Sequence, residues 1–576
     1  MVRSSVAQYC SPMRLTKFRA ISIVFLFCAA LEVYVCIQFQ GPAPVEFFDK
    51  SAGVQNTSNS RFSAERALEI HRRVFPDSPH PAGSVENALV RAQIVQLLEE
   101  HGWLVDPAEK SPKSENGAPA TPASHGNIIA RRPEQATMTT KPIVLASHFD
   151  SCPMGPGAGD AGVCVAAVIE AGRLLTLETS DLKHPVWLLL TDAEESGLQG
   201  ARNFVKSHPL SRQQPFVLNF DARGNSGPVV MFETHAGNHQ AIQQLINQLV
   251  RPKLTGSLFT AIYKSLPNGT DFTVFRDAGW QGFNFALIDG AQYYHRPDDT
   301  LENLDHRSVQ HLGDTALSVG GAMARSDDAL ENPSEDAIFF DVLGLIVMHI
   351  PVSSGFPVRF LLLFAAVQVY GRRLIKERQF RAVLRVWLTM ALIVPLASGL
   401  GWLISRSIRG TILLPRPFVA HGHWLSLAMW FLCLGFYSLL AHSLLRRIHQ
   451  RRVWDAFWLA HAATCMVVSI FIPEFSHLLS IPAALALVST LLISNVLLRT
   501  LVVGCLSSIL LIPLHHLLSI AVGPANGLIL FPLFSLVIMP LLPAFGASDV
   551  KSPAKTTTEN SNFSESAVIP SDSSAE

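Results

Sequence analysis

The sequence has no CxxC pair: its eight cysteines stand singly, most of them inside apolar stretches. That excludes a zinc ribbon and a disulfide framework. Net charge is absent too, with Lys+Arg and Asp+Glu at 45 each over 576 residues, so the charge balance gives no reason to expect nucleic acid as a partner. Charged residues are scarce at 16% while hydrophobic ones reach 49%, and the mean hydropathy is positive. A chain of this length accommodates one catalytic domain and a second part, which the apolar excess assigns to a membrane. Cys152 and Cys164 fall in the soluble part and read as two small apolar side chains, with a bridge between them as the alternative.

Residues 1–19 are polar and basic, and Arg14, Lys17 and Arg19 precede an apolar run over 20–39. The run is near the length that crosses a bilayer, about 20 residues. No Ala-x-Ala site comes after it, which favours a retained anchor over a cleaved signal peptide. The basic flank places 1–19 in the cytoplasm and the residues beyond the apolar run on the other side of the membrane. Residues 40–62 read as a linker, and 107–125, rich in Pro, Ser, Lys and Gly, as a surface insertion.

At the other end, 331–355 is expected to be a juxtamembrane segment, with 339–350 amphipathic or partly inserted. Residues 356–546 are expected to form a membrane domain of about seven spans, at 356–370, 383–404, 424–445, 456–472, 481–498, 501–520 and 528–545. Basic clusters after alternate spans give eight crossings in all with both termini in the cytoplasm, although Arg406, Arg409 and Arg416 fall on the outer side. His442, His461, His515 and His516 lie inside spans and are functional candidates on that ground. Residues 547–576, rich in Ser, Thr, Glu and Pro, read as a disordered tail.

Between these parts the chemistry concentrates. Apolar runs at 143–146, 186–190 and 216–219 read as buried parallel strands, alternating with helices over 162–176 and 198–207. The expected fold is α/β, a doubly wound, mostly parallel sheet joined to an all-α multi-span membrane domain. His148, Asp150, Asp160, Glu194, Glu195 and Asp221 come after the runs at their carboxyl ends, where open α/β sheets bind ligands. Singly, the glutamate pair reads as a solvated face and His148 as a satisfied polar residue. Together, five carboxylates in one crevice require cations among them. His148 and Asp150 sit two apart, so one can bind a metal while the other orients it. Asp160 comes after the glycine-rich GPGAG, and of Glu194 and Glu195 one can face a metal while the other serves as general base. His184, His208, His235 and His239 lie outside these motifs and are expected at the surface.

The motifs HFD, GAGDAG, DAEESGLQGA, NFDARG and PNGTDFTVFRDAGWQGFNFALIDGAQYYHRPDDTLENL, in that order over residues 148–304, resemble metallopeptidase family 28, the zinc aminopeptidases of the aminopeptidase Y type. EDAIFFDVLGL just before the spans is similar to the membrane-bound branch with the fungal vacuolar membrane proteases and the endoplasmic-reticulum metallopeptidases. The resemblance implies a zinc peptidase domain over 63–330 and two zinc ions per chain. His148, Asp160 and Asp221 would hold one, and Asp160, Glu195 and His295 the other. Glu194 would be the general acid/base and Asp150 the residue that supports His148. Ala161 departs from the family, where an acidic or amide residue commonly comes after the bridging aspartate. Tyr293 or Tyr294 is a candidate for stabilising the oxyanion. The implied function is a membrane-bound dizinc aminopeptidase acting on peptides outside the cytoplasm, in a periplasm or in an organelle lumen such as vacuole or endoplasmic reticulum. In a lumen the sequons at Asn56 and Asn268 would matter. The alternatives are a catalytically inactive peptidase-like receptor or transporter, and a glutaminyl cyclase-like enzyme with one zinc.

Overall fold

The computed structural model describes residues 61–547 apart from 107–125, 178–180, 249–255, 265–267, 328–334, 344–345, 412–421 and 524–525. The expected cytoplasmic segment, the anchor and nearly all of the linker, the insertion, the tail, Asn56 and Arg416 lie outside the described residues.

Seven strands form one sheet: β1 (Leu104–Val105), β2 (Ile128–Arg131), β3 (Ile143–His148), β4 (Val186–Thr191), β5 (Phe216–Ala222), β6 (Ser226–Thr234) and β7 (Gly282–Asp289). Their order is β1-β2-β4-β3-β5-β7-β6. The four central strands run parallel, and β1, β2 and β6 are added antiparallel at the two edges. The sheet is therefore mixed, with its parallel part confined to the centre. β3, β4 and β5 are buried along their whole length, which is why they read as unbroken apolar runs rather than as alternation.

Alternate residues of these strands serve two cores. Ile143, Leu145, Leu188, Phe216 and Leu218 pack under the helices Ala64–Val74, Val85–Glu100, Val163–Leu175 and His306–Arg325. Val144, Ala146, Trp187, Leu189 and Val217 face Ala201 and Phe204 of the helix Gln199–Ser207 and Phe272 and Phe275 of Asp271–Asp277. The chain moves from β3 to β4 in one direction and from β4 to β5 in the other. A fixed crossover hand then sends the two connecting helices to opposite faces. Ser63 and Ser84 cap the first two helices, accepting hydrogen bonds from the backbone N–H of Arg66 at 3.4 Å and of Asn87 at 3.0 Å.

Residues 337–351 take in the stretch expected to be amphipathic or partly inserted. They form a β-hairpin, β8 (Ala337–Val342) with β9 (Ile346–Pro351). Ala337 and Phe339 enter the core of the soluble domain, while the Phe340 ring stacks at 4.5 Å on His477 of the helical part. Beyond it, among the described residues, six helices are long and apolar enough to cross a membrane: Val352–Lys376, Phe380–Ser407, Ala428–Leu445, Gln450–Phe471, Val496–Val522 and Gly527–Phe545. The span expected at 481–498 is divided instead. A 16-residue helix, His477–Leu492, ends before Asn495, whose side chain caps the next helix by accepting from the Leu498 N–H at 3.1 Å. At about 1.5 Å per residue, 16 residues fall short of a bilayer core of about 30 Å.

Among the histidines expected at the surface, His184, His208 and His235 are buried. For His184 and His235 contacts with distant backbone explain it. His184 bonds the carbonyls of Lys141 and Ser326, and His235 Nδ1 accepts from the Gly282 N–H at 3.1 Å at the start of β7. In the helical part, the His461 and His515 rings meet the carbonyls of Leu479 and Leu530 on neighbouring helices, so they serve helix packing.

Burial lowers the His235 pKa to about 4. The unfolded chain binds that proton near 6.5 and the folded one only below about 4, so the stability His235 allows is complete above pH 6.5 and is lost as pH falls toward 4, on the order of 3 kcal/mol in all. His235→Gln is expected to flatten this part of the acid dependence. The check is the thermal unfolding midpoint of both proteins between pH 7 and 4.5; equal slopes would rule the assignment out.

Candidate metal centre

The crevice lies at the carboxyl ends of β3, β4 and β5, where the chain order reverses between β3 and its two neighbours. His148 ends β3, Asp221 lies near the end of β5, and Glu194 and Glu195 come just after β4. Asp160 enters from the loop after β3, and His295 from the segment after β7.

Two groups of side chains meet there. His148 Nε2 lies 3.3 Å from Asp160 Oδ1 and 3.5 Å from Asp221 Oδ1. His295 Nε2 lies 3.2 Å from Asp160 Oδ2 and 2.8 Å from Glu195 Oε1. The two oxygens of Asp160 thus face different histidines, the disposition of a carboxylate shared by two cation positions. Donors about 2.0–2.1 Å from a tetrahedral zinc stand about 3.3 Å from one another, so the spacing fits. The second observation is chemical. Asp160 Oδ2, Glu195 Oε1 and His295 Nε2 are buried and, despite their closeness, none has a hydrogen-bond partner. Buried polar atoms are seldom left so, and an ion would satisfy all three. Cys152, expected as a small apolar side chain or as one half of a bridge to Cys164, adds its Sγ to this second group, the ligand atoms of Cys152, Glu195 and His295 lying within 4.8 Å of one another. Both Cys152 and Cys164 are free thiols.

The electrostatics agree with this geometry. Burial alone would lower the His148 pKa, but Asp150, Asp160 and Asp221 outweigh it and raise it well above the ordinary value. His295 is raised to about 9, burial again being outweighed by Asp160 and Glu195. Burial would raise Asp160, yet the two histidines bring it down to about 2. Glu195 is pushed up to about 7, mainly by burial. The cluster gathers positive charge onto its histidines because it has more anionic groups than the crevice can hold uncompensated.

Asp150 does not enter either group. Its Oδ1 and Oδ2 accept from the backbone N–H of Glu194 at 3.0 Å and of Glu195 at 3.2 Å, and its backbone carbonyl lies 3.0 Å from His148 Nδ1. It therefore ties the loop after β3 to the loop after β4 and orients His148. Glu194 borders the cavity beside the cluster. Its carboxyl is raised well above the ordinary range, first by burial and then by Asp221, Asp271 and Asp160. Ala193 before it and His295 hold φ of 57° and 56°, a region that costs non-glycine residues about 1–3 kcal/mol and persists where surrounding contacts enforce it.

Two aspartates gave no signal in the sequence. Asp299 accepts from the N–H of Gly159 at 2.8 Å and of Asp160 at 3.2 Å, fixing the loop that carries the shared carboxylate. Gly159 is required there, since a Cβ would come within 2.9 Å of Asp299 Oδ1 and of the Gly224 carbonyl. Asp271 is buried, accepts from Thr191 Oγ1, and is pushed up to about 7 mainly by burial. Both lie in the PNGTDF and RPDDT segments, whose acidic residues stand at no strand end and in no periodic pattern. Of the two candidate tyrosines, Tyr294 faces the cavity and stacks on His295 at 3.7 Å.

The model for peptidase family M28 matches residues 127–320. Endoplasmic reticulum metallopeptidase 1 of Mus musculus is 26% identical over 390 residues, 64% of this chain and 42% of the relative. The vacuolar membrane protease of Candida albicans (strain WO-1) is 27% identical over 385 residues, 66% of this chain and 44% of the relative. The chain thus spans less than half the length of these curated relatives. A solved Zn-dependent exopeptidase from Parabacteroides distasonis aligns over 45% of this chain and 98% of its own, with 17% identity and a TM-score of 0.36.

Asp299→Ala leaves two amides without an acceptor and frees the Asp160 loop, so it is expected to weaken divalent-cation binding about 10–100-fold. Competition with a chromophoric chelator measures this, and unchanged affinity would remove Asp299 from the supporting role.

Proposed function

We infer, from the premise that residues 127–320 are a peptidase family M28 domain, that the chain is a membrane-bound zinc metallopeptidase, a dizinc aminopeptidase that releases N-terminal residues of peptides outside the cytoplasm. The observation that supports this most is Asp160, with one carboxylate oxygen toward His148 and the other toward His295. His148, Asp160 and Asp221 would hold one zinc, and Asp160, Glu195 and His295 the other. Bound there, the ions would polarise the scissile carbonyl and make water nucleophilic at neutral pH.

The chain's own residues supply the rest. Glu194, a half-buried carboxylate on the cavity wall with raised proton affinity, takes the proton of the attacking water and delivers it to the leaving amine. Asp150 holds the Glu194 and Glu195 backbone in register with His148. A free substrate α-amine is a cation and finds its counter-charge in the cluster, which favours cutting at the N-terminus. Tyr294, beside His295 on the cavity wall, is placed to steady the developing oxyanion.

The orientation rests on charge. Arg373 lies 3.7 Å from Asp455, and Arg452 lies 3.4 Å from Glu377, so basic residues from the connections at 372–380 and 446–452 gather at one end of the helical bundle. The basic end of a membrane domain faces the cytoplasm. The soluble domain meets the opposite end, through the hairpin and the end of Val496–Val522.

Glu194→Gln is expected to lower kcat/KM on short peptides about 10²–10⁴-fold with zinc content unchanged. Metal analysis of the full chain is expected to give about two zinc equivalents, lost together in Asp160→Ala and only in part in His148→Ala. Full turnover by Glu194→Gln would overturn the mechanism, and a single zinc equivalent would return the glutaminyl cyclase-like reading.

A further inference from the structure

The cavity that borders the acidic cluster, about 540 Å³ in volume, has an apolar end. Phe232, Phe259, Tyr263, Ala286 and Ile288 line it together with Ala521. Ala521 does not belong to the soluble domain: it stands one residue before the end of the apolar helix Val496–Val522.

The contact arises from how β6 and β7 are used. Val229, Met231, Phe285 and Leu287 turn into the main core. The alternate residues Val230, Phe232, Ala286 and Ile288 face the other way, where Leu518, Ala521 and Leu530 of the membrane helices pack against them with Phe259. At this edge the second face of the sheet is thus covered in part by the membrane domain, and the cover continues into the cavity wall. The Phe232 and Tyr263 rings meet edge to face at 4.8 Å and stiffen the same wall.

We propose that the end of helix Val496–Val522 is part of the substrate site: with Phe232, Phe259 and Ile288 it closes an apolar subsite next to the acidic cluster, and this subsite selects peptides whose N-terminal residue carries a large apolar side chain. The proposal rests on the aminopeptidase reading for the direction of the peptide, with its α-amine at the acidic end and the side chain of the same residue toward Ala521. It gives the membrane helices a role in recognition as well as anchorage.

The test uses the full chain in detergent with zinc and peptides X-Ala-Ala, X being Leu, Phe, Ala or Gly. The wild type is expected to prefer Leu and Phe by about tenfold or more in kcat/KM. Ala521→Phe, which fills the subsite from the membrane side, is expected to cost the Leu and Phe peptides about tenfold and to leave the Ala and Gly peptides within about twofold, with zinc content unchanged. Phe259→Leu alters the facing wall and is expected to shift the preference among Leu, Phe and Ala without a uniform loss. A wild type that prefers Gly or charged residues, or variants that leave the order of preference untouched, would overturn the proposal. Binding of leucine hydroxamate and glycine hydroxamate separates it from the hydrolase reading. If no peptide is cut yet Ala521→Phe weakens only the leucine compound, the hydrolase reading fails and the subsite stands. If the variant treats both compounds alike, the subsite fails whatever the turnover.

Discussion

The charge of one buried carboxylate organises the soluble domain. Asp160 stands between two histidines and among Asp221, Glu194 and Glu195, and such a set cannot share a low-dielectric crevice without compensating positive charge. The fold meets that demand from several directions: strand ends deliver His148 and Asp221, a loop cradled by Asp299 delivers Asp160, and His295 enters on its own left-handed backbone. The supporting hydrogen bonds run mostly from backbone N–H groups to carboxylates, which fixes loops relative to one another rather than merely lowering charge. Asp150 shows this best, accepting from two successive amides after β4 while orienting the histidine at the end of β3.

A sheet with seven strands has two faces to cover, and this chain covers them from two sources. Longer helices of the soluble domain seal one face, and two short ones seal the middle of the other. Toward β6 and β7, Leu518, Ala521 and Leu530 from the membrane helices take over on that second face. The β-hairpin 337–351 works in the same sense, with Phe339 in the soluble core and Phe340 against His477. The apolar surface at this boundary is buried by packing between the two parts, so their relative placement and the shape of the cavity depend on each other.

Much of the soluble fold was legible in the residues because its central strands are short apolar runs punctuated by the groups that do chemistry. The same logic brought His148, Asp160, Glu194, Glu195 and Asp221 into view together, while His295 came only from the family resemblance. It gave no sign of Asp271 or Asp299, since an aspartate that accepts backbone amides looks the same in sequence as one facing water. It misplaced His184, His208 and His235; the burial of His184 and His235 rests on carbonyls and amides brought close only by folding. It also joined a 16-residue helix and the start of the next into one span, because hydropathy averages over the Ile493–Asn495 break where Asn495 caps a new helix.

From the residues alone came the periods of burial, the order of strands and helices, and the donor types that stand after the central strands, for these depend on local spacing and on which side chains tolerate water. Only the tertiary structure decided that the two oxygens of Asp160 address different histidines, that the sheet turns antiparallel at its edges, and that Ala521 of a membrane helix lines the same cavity as Glu194. Those are relations between residues up to hundreds of positions apart, set by how apolar faces pack rather than by any local preference.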